Sequence, residues 1–316
     1  MMLAAVAAAS AGAQGGGQPL AQANAALQAG EADKALAILN PLTRPGRDGA
    51  EAFNLRCRVF LVLEHWDRAA SDCEQAVKMN GESSDYHMWL ARAVGERASR
   101  ASFMSAYSLG KRVRAEFEEA VRLNPRNAEA LADLGEFYYN APGVVGGGIP
   151  KAEGIAAQLD KVDPARAHEL RGHIAVQRKD FATAEQEYKK AIAVGAHPAS
   201  QWMTLARFYR RRERWAEMES AVRSGESAAE RDRGAGAALF DGASLLIATN
   251  RDLERAARML ERYLTSSAKT EEAPAFAAHA KLARLKEQLG DKTAASRERA
   301  AAQALAYEYR AEETKH

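Results

Sequence analysis

The chain has 316 residues, 47% hydrophobic and 7% aromatic, with 44 Lys+Arg against 42 Asp+Glu. A formal net charge of +2 gives no global field for holding nucleic acid or an anionic membrane surface. Strand-like runs of Val, Ile, Thr and aromatics are almost absent, so the predicted class is all-α, and the length suits an elongated stack of small helical units better than one globule.

Residues 1–17 stand apart. A short apolar run from Leu3 leads to Ala11-Gly12-Ala13, an A-x-A-like cleavage site before Gln14. The run has no positive n-region and is too short to span a bilayer. It is either a signal peptide or a disordered Ala/Gly leader. Cleavage predicts a periplasmic or secreted protein, and a retained leader predicts a cytoplasmic one. No cysteine lies in this stretch, so it offers no lipid-anchor site, and no integral membrane segment is expected.

From residue 18 the pattern is helical hairpins. Residues 18–49 form a degenerate first copy, with Ala23 and Ala26 followed by Ala35, Leu39 and Leu42. Residues 50–83 are clearest: Phe53, Cys57 and Phe60 share one helical face, and Ala69, Cys73, Ala76 and Val77 share another. The turn falls at Glu64-His65, with Trp66 placed to cover both helix ends. Cys57 and Cys73 on facing helices are either a disulfide, if the protein is exported, or two small buried apolar residues.

Residues 84–127 repeat the pattern through Trp89, Leu90, Ala91 and Val94, then Val113, Phe117, Ala120 and Val121, with about ten extra residues around 97–110. Residues 128–164 carry Leu131, Leu134, Gly135 and Tyr138, an interrupted turn, then Ala152, Ala156 and Leu159. Residues 165–198 carry Gly172, Ala184 and Tyr188; residues 199–232 carry Trp202, Ala206, Tyr209 and Val222. Weaker copies span 237–270 and 276–312, the last ending in a charged tail that reads as a solvent-facing cap. One such hairpin cannot bury its apolar face alone, so stacking is required.

The unit 50–83 resembles a tetratricopeptide repeat, with Cys57, Ala69 and Ala76 at the small-residue places and Asn80-Gly81 replacing the usual closing proline. The resemblance covers 18–316. It implies a right-handed superhelical solenoid of about seven to eight helix–turn–helix hairpins. It also implies a non-catalytic scaffold for a protein or extended peptide, without cofactor. Residues YHMWLARAVGERA and LADLGEFYYNAPGVVGGGIPKAEG are similar to bacterial exported members, to T components of TRAP transporters and to regulators of microtubule dynamics. The shared feature is a Gly147-Gly148 turn before Lys151-Ala152. This implies an alternative, an accessory of a solute-binding transport system handling a small ligand. A pocket at Tyr138, Tyr139 and the Gly loop would favour it.

The Gly-rich turn (Gly143, Gly146, Gly147, Gly148) lacks the Lys-Ser/Thr ending of a P-loop and a preceding strand, so it reads as a close-packed loop needing positive φ. The seven histidines show no zinc spacing, and no metal site is expected. Glu271-Glu272 and the other adjacent acidic pairs read as solvated helix faces. Two basic clusters, around Arg92–Arg114 and Arg207–Arg214, suit an acidic partner or nucleic acid, or else are ordinary charged faces; no nucleic-acid partner is expected.

In the resembled family the first helix of each hairpin lines the concave face. Steps of three and four bring forward Asn54, Arg58, Met88, Arg92, Asp133, Glu136, Tyr139, Glu169, His173, Met203, Arg207 and Arg210. The stripe is basic, acidic, then basic. It departs from the Lys/Asn carboxylate clamp of chaperone-binding members and suits an extended mixed-charge segment, centred on Arg92, Tyr139, Arg207 and Arg210.

Overall fold

In the computed structural model the described residues are 17–43, 49–232 and 234–309. The leader with its Ala11-Gly12-Ala13 motif, and His316 with Glu312-Glu313, lie outside them. The described residues form sixteen α-helices in eight antiparallel hairpins. These are α1 (Gly17–Gln28) with α2 (Ala32–Leu39), α3 (Ala50–Val62) with α4 (Trp66–Met79), α5 (Ser84–Arg100) with α6 (Phe103–Leu123), and α7 (Ala128–Asn140) with α8 (Ile149–Leu159). The second half pairs α9 (Pro164–Gln177) with α10 (Phe181–Val194), α11 (Pro198–Arg211) with α12 (Trp215–Arg231), α13 (Gly236–Ala248) with α14 (Leu253–Thr265), and α15 (Ala275–Gln288) with α16 (Lys292–Leu305). The fold is all-α.

Six hairpins turn in the same way. Gly30, Glu64, Lys179, Glu213, Asn250 and Gly290 have φ between 51° and 87°. In each case the next residue's N–H reaches back five carbonyls, as from His65 to Phe60 (2.8 Å) and from Arg214 to Tyr209 (3.0 Å). This left-handed closure satisfies carbonyls that the helix end leaves open. The second helix then starts at once, capped by side chains such as Asp180 and Asp291.

The third and fourth hairpins depart from this turn. The extra residues of the third do not loop out. They lengthen both helices, leaving only Ala101-Ser102 between them and a tip where Phe103 and Met104 are exposed. In the fourth, a single 3₁₀ turn at Gly143–Val145 leads into α8, and Val145 packs on Gly110 of α6.

The odd-numbered helices form an inner layer in which each from α1 to α11 touches the next, while the even-numbered helices pack outside on their own hairpin and the following one. Crossings are close because small residues sit there. Cys57, Ala91 and Ala206 are fully buried, and a Cβ on Gly172 would lie 2.5 Å from the Tyr188 ring. Cys57 and Cys73 are joined by a disulfide across α3 and α4, with Cα atoms 5.4 Å apart.

The stack is not open-ended. Phe276 of α15, fully buried, shares a core with Ala23, Leu27 and Leu39 of the first hairpin and Leu55, Val59 and Leu63 of the second. Its ring lies 4.5 Å from Tyr309, and the Tyr307 amide donates to Asp33 at 2.8 Å. The α15 side of the last hairpin is therefore covered rather than solvent-facing, while the charged tail read as a cap lies outside the described residues. Steady curvature over eight units brings this hairpin back to the first, and each covers an apolar end that would otherwise face water.

Candidate functional site: the concave face

The inner helices present a polar, half-buried face with two differently built ends. At the first end, Trp89 of α5 is a platform for two guanidinium groups, Arg58 at 4.9 Å and Arg92 at 4.4 Å from its ring centroid. Arg58 grips Glu271 with two bonds, Nε to Oε2 at 2.9 Å and Nη2 to Oε1. Gln28 Nε2 donates to the same carboxylate at 3.1 Å. Glu271 belongs to the segment between α14 and α15, which is pinned by the Tyr263 hydroxyl donating to the Ala273 carbonyl. Arg92 is held by Asp133 (2.6 Å) and Glu129 (3.3 Å). A cleft of about 600 Å³ remains here, lined by Trp66, Trp89, Arg92, Phe240, Glu272 and Lys281 among others.

At the other end the lining is aromatic. Tyr139 stacks on His173 (centroids 5.3 Å), His173 meets Tyr188 edge-on (5.4 Å), and Tyr188 leans on Phe208 (5.5 Å). Arg207 pairs with Asp241 at 2.5 Å. Arg211 and Arg207 both stand near His173, which is pushed down to about 4 by desolvation and then by these two cations. His173 is thus neutral at ordinary pH.

Concavity raises the cost of charge throughout. Desolvation holds Asp133 above the usual carboxylate range even against the Arg92 pair. It raises Glu169 as well, and Glu136 with help from Asp133. Glu136 is open to water, yet the groove walls surround it on several sides, and that is enough to disfavour the anion. Lys281 is lowered by desolvation and then by Arg284.

Several expected groove residues lie elsewhere. Met88 (3% exposed), Met203 (0%) and Asn54 (4%) are buried. Met88 and Met203 fill the core between hairpins, where their apolar side chains belong. Arg210 is exposed but does not line the groove cleft; Arg211 does, because the α11 stripe runs Thr204, Arg207, Arg211. Arg58, Arg92, Asp133, Glu136, Tyr139, Glu169, His173 and Arg207 do lie along the inner helices. The expected solvated role of Glu271 fails, since it is 7% exposed and gripped by Arg58.

Sequence reasoning also missed a recurring staple in which a histidine of an inner helix pairs with a glutamate of its outer helix. The pairs are His87–Glu116 (2.6 Å), His168–Glu187 (2.7 Å) and His279–Glu298 (2.7 Å). The same 19-residue spacing in the last two was a readable signal.

The glycine loop is structural. Gly146 (φ 98°) and Gly148 (φ 155°) need their conformations, while Gly147 is required for a different reason: a Cβ there would lie 1.9 Å from the Ala141 carbonyl. Gly143 has neither constraint. The N–H groups of Gly146, Gly147 and Gly148 donate to Gly143, Pro142 and Tyr138 carbonyls, so none is left to cradle a phosphate. Lys151 donates to the Gly146 carbonyl at 2.8 Å, and the Tyr138 hydroxyl donates to Glu118. The basic clusters are largely ion-paired, as Arg97 with Asp67, Arg112 with Glu74 and Arg214 with Glu185.

No family model and no curated protein matches this sequence. Among solved structures, the chain is similar to a thermophilic TPR protein of Thermus thermophilus, TTC0263. The TM-score is 0.51 at 18% identity, over 60% of this chain and 97% of that one. It is also similar to yeast Tom70, with a TM-score of 0.54 at 14% identity, over 87% of this chain and 55% of that one. The chain shares the helical-hairpin solenoid fold of these TPR proteins. In such a solenoid the inner helices line the concave side, which is where Arg58, Arg92, Tyr139, His173 and Arg207 are found. Among the described residues of this solenoid, no helix is long and apolar enough to cross a membrane, and no group of three or more His, Cys, Asp or Glu is placed to hold a metal ion.

Proposed function

We propose that this solenoid is a non-catalytic interaction scaffold whose concave face takes an extended segment of a protein partner. The observation that carries this reading is Tyr139 of α7 stacked on His173 of α9, backed by the buried rings of Tyr188 (α10) and Phe208 (α11), with Arg211 beside them. Rigid aromatic and arginine side chains in a concave, partly desolvated setting are the groups that anchor partners most strongly. The groove cations at the other end are already satisfied by Glu271, Asp133 and Glu129, so binding centres on Tyr139, His173 and Arg211 rather than on Arg92.

The alternative of a transport accessory with a small-ligand pocket at Tyr138, Tyr139 and the glycine loop is less well supported, since Tyr139 stacks on His173 away from the loop. Tyr138 and the loop are used in packing against α6. We assign the protein to an exported compartment on the Cys57–Cys73 disulfide together with the leader motif.

The test is affinity capture from the native source followed by titration of the captured partner. Tyr139→Ala and Arg211→Ala are each expected to weaken binding roughly thirtyfold, about 2 kcal/mol. Arg223→Ala on the outer helix α12 is expected to leave it unchanged. Groove variants that stay folded and bind like wild type would remove the concave-face reading.

A further inference from the structure

The third hairpin projects beyond its neighbours. α5 begins one repeat length after α3, at Ser84 against Ala50, and α6 stops at an asparagine, Asn124, as α4 does at Asn80. Its added length therefore lies at the turn. α5 has 17 residues against 13 in α3, and α6 has 21 against 14 in α4. At the helical rise, the tip stands roughly 6 Å further out along α5 and roughly 10 Å further out along α6.

This tip is apolar where other turns are polar. Phe103 and Met104 are 85% and 75% exposed, whereas the left-handed turns of other hairpins carry Glu64, Lys179, Glu213 and Asn250. The adjoining turn of the fourth hairpin, whose Val145 packs on Gly110 of α6, exposes Val144 as well. A lone apolar side chain on a surface needs no partner. Two adjacent ones at the end of a projection have been carried away from the core that could bury them.

The segment around the tip is basic. From Arg97 to Ala115 it holds Arg97, Arg100, Lys111, Arg112 and Arg114 and no carboxylate. Arg112 and Arg114 are set back and paired with Glu74 and Glu118. Nearer the tip, Arg97 meets Asp67 and Arg100 meets Glu96 in exposed pairs, which hold a side chain only weakly. Lys111 makes no ion pair among the described residues and rests 4.3 Å over the Tyr107 ring. An apolar end with cations behind it matches the order of groups met on entering an anionic bilayer, phosphates first and acyl chains next. Interfacial segments bury their apolar groups by roughly 5–10 Å, a depth that the projection spans.

We propose that the tip of the third hairpin is a membrane-surface contact. Phe103 and Met104 enter the boundary between headgroups and acyl chains of an anionic bilayer, and Arg97, Arg100 and Lys111 lie at the level of its phosphates. None of these five residues lines either groove cleft, so the contact leaves the concave face open to a protein partner.

The probe is flotation of the full chain with vesicles of phosphatidylglycerol and phosphatidylcholine in equal parts, and with vesicles of phosphatidylcholine alone. The chain is expected to bind the mixed vesicles at least about tenfold more tightly than the neutral ones. The Phe103→Ser, Met104→Ser double variant, changed at exposed positions and so without a folding cost, is expected to lose at least about tenfold on the mixed vesicles. Phe103→Trp is expected to keep the binding. Lys111→Gln is expected to lose about fivefold. The apolar run of the leader is the same in every variant, so the differences report on the tip. A nitroxide at Ser105→Cys is expected to be shielded by the vesicles from a water-soluble relaxing agent, and one at Lys190→Cys on the outer helix α10 is not. No flotation, equal binding to both kinds of vesicle, binding unchanged in the double variant, or a label at 105 as accessible as the one at 190 overturns the inference. A double variant that floats like wild type and loses the captured protein partner makes the tip a protein contact, and overturns it too. Tyr139→Ala tests the scaffold reading separately.

Discussion

At the end of the groove near α3 and α5, the chain has supplied anions for both Arg58 and Arg92; at the end near α9 and α11 it pairs Arg207 with Asp241 and leaves Arg211 without an ion pair among the described residues. Arg58 and Arg92 lie on Trp89 and are neutralised by Glu271, Asp133 and Glu129. Arg211 lies beside the Tyr139–His173–Tyr188 stack with no such partner among the described residues. Arg58, Arg92 and Arg207 hold the same place in their hairpins, whereas Arg211 lies about one helical turn further along α11. Closure of the stack brings Glu271 to Arg58 at the first end, while Asp133 and Glu129, the partners of Arg92, come from the neighbouring α7. One end is consequently structural, and the other is the end proposed above to receive a partner.

That contrast predicts where damage is greatest. Phe276→Ala empties the core shared by the first, second and last hairpins and should cost about 4 kcal/mol in denaturant unfolding. A cost under about 1 kcal/mol would mean the ends are not packed together. Next, Glu271→Ala leaves Arg58 without its carboxylate in a setting where the side chains are 17% and 8% exposed, and should cost about 3 kcal/mol. The equivalent break at the open end, Arg211→Ala, should leave stability within about 0.5 kcal/mol of wild type. If both changes cost the same, the comparison is wrong.

The open end has its own signature in pH. His173 is neutral when folded, with a pKa of about 4 against an ordinary value of 6.5. The unfolded chain therefore binds the proton first as pH falls. The stability tied to neutral His173 is fully present above 6.5 and is lost on acidification, by about 2 kcal/mol at pH 5. Urea melts at pH 7 and pH 5 should converge by that amount in His173→Gln; an unchanged pH difference would contradict it. His87 behaves oppositely, because its bond to Glu116 raises its pKa. The stability it contributes is complete below 6.5 and fades as pH rises through the raised value. The smallest effect is a gain. Glu213 sits at φ 55° in a turn where Gly30 and Gly290 take the same place, and Glu213→Gly should add about 1 kcal/mol.

The all-α hairpin stack was legible because periodicity and small residues report on local packing. Cys57, Ala69, Cys73 and Ala76 are all fully buried where their spacing placed them. The groove was only partly legible. A step of three or four residues spans a sector wide enough to include both the groove and the seam to the next hairpin, so Met88 and Met203 were drawn in although they face the core. The same ambiguity exchanged Arg211 for Arg210. Ring closure and the seating of Glu271 were not legible at all, since they depend on curvature summed over eight hairpins and join residues 213 apart in sequence. Only the apolar character of Phe276 hinted that the last hairpin had something to bury.

The most direct test of this account is a distance between the first and last hairpins. Spin labels at Ala37→Cys on α2 and Gln303→Cys on α16, introduced with the Cys57–Cys73 disulfide intact, report it by pulsed dipolar spectroscopy in dilute solution. Closure predicts one narrow distribution at the short separation of neighbouring helices, broadening and lengthening in the Glu271→Ala, Phe276→Ala double variant. A long, broad distribution in the unmodified background would show an open superhelix, and with it a first end of the groove as free as the second.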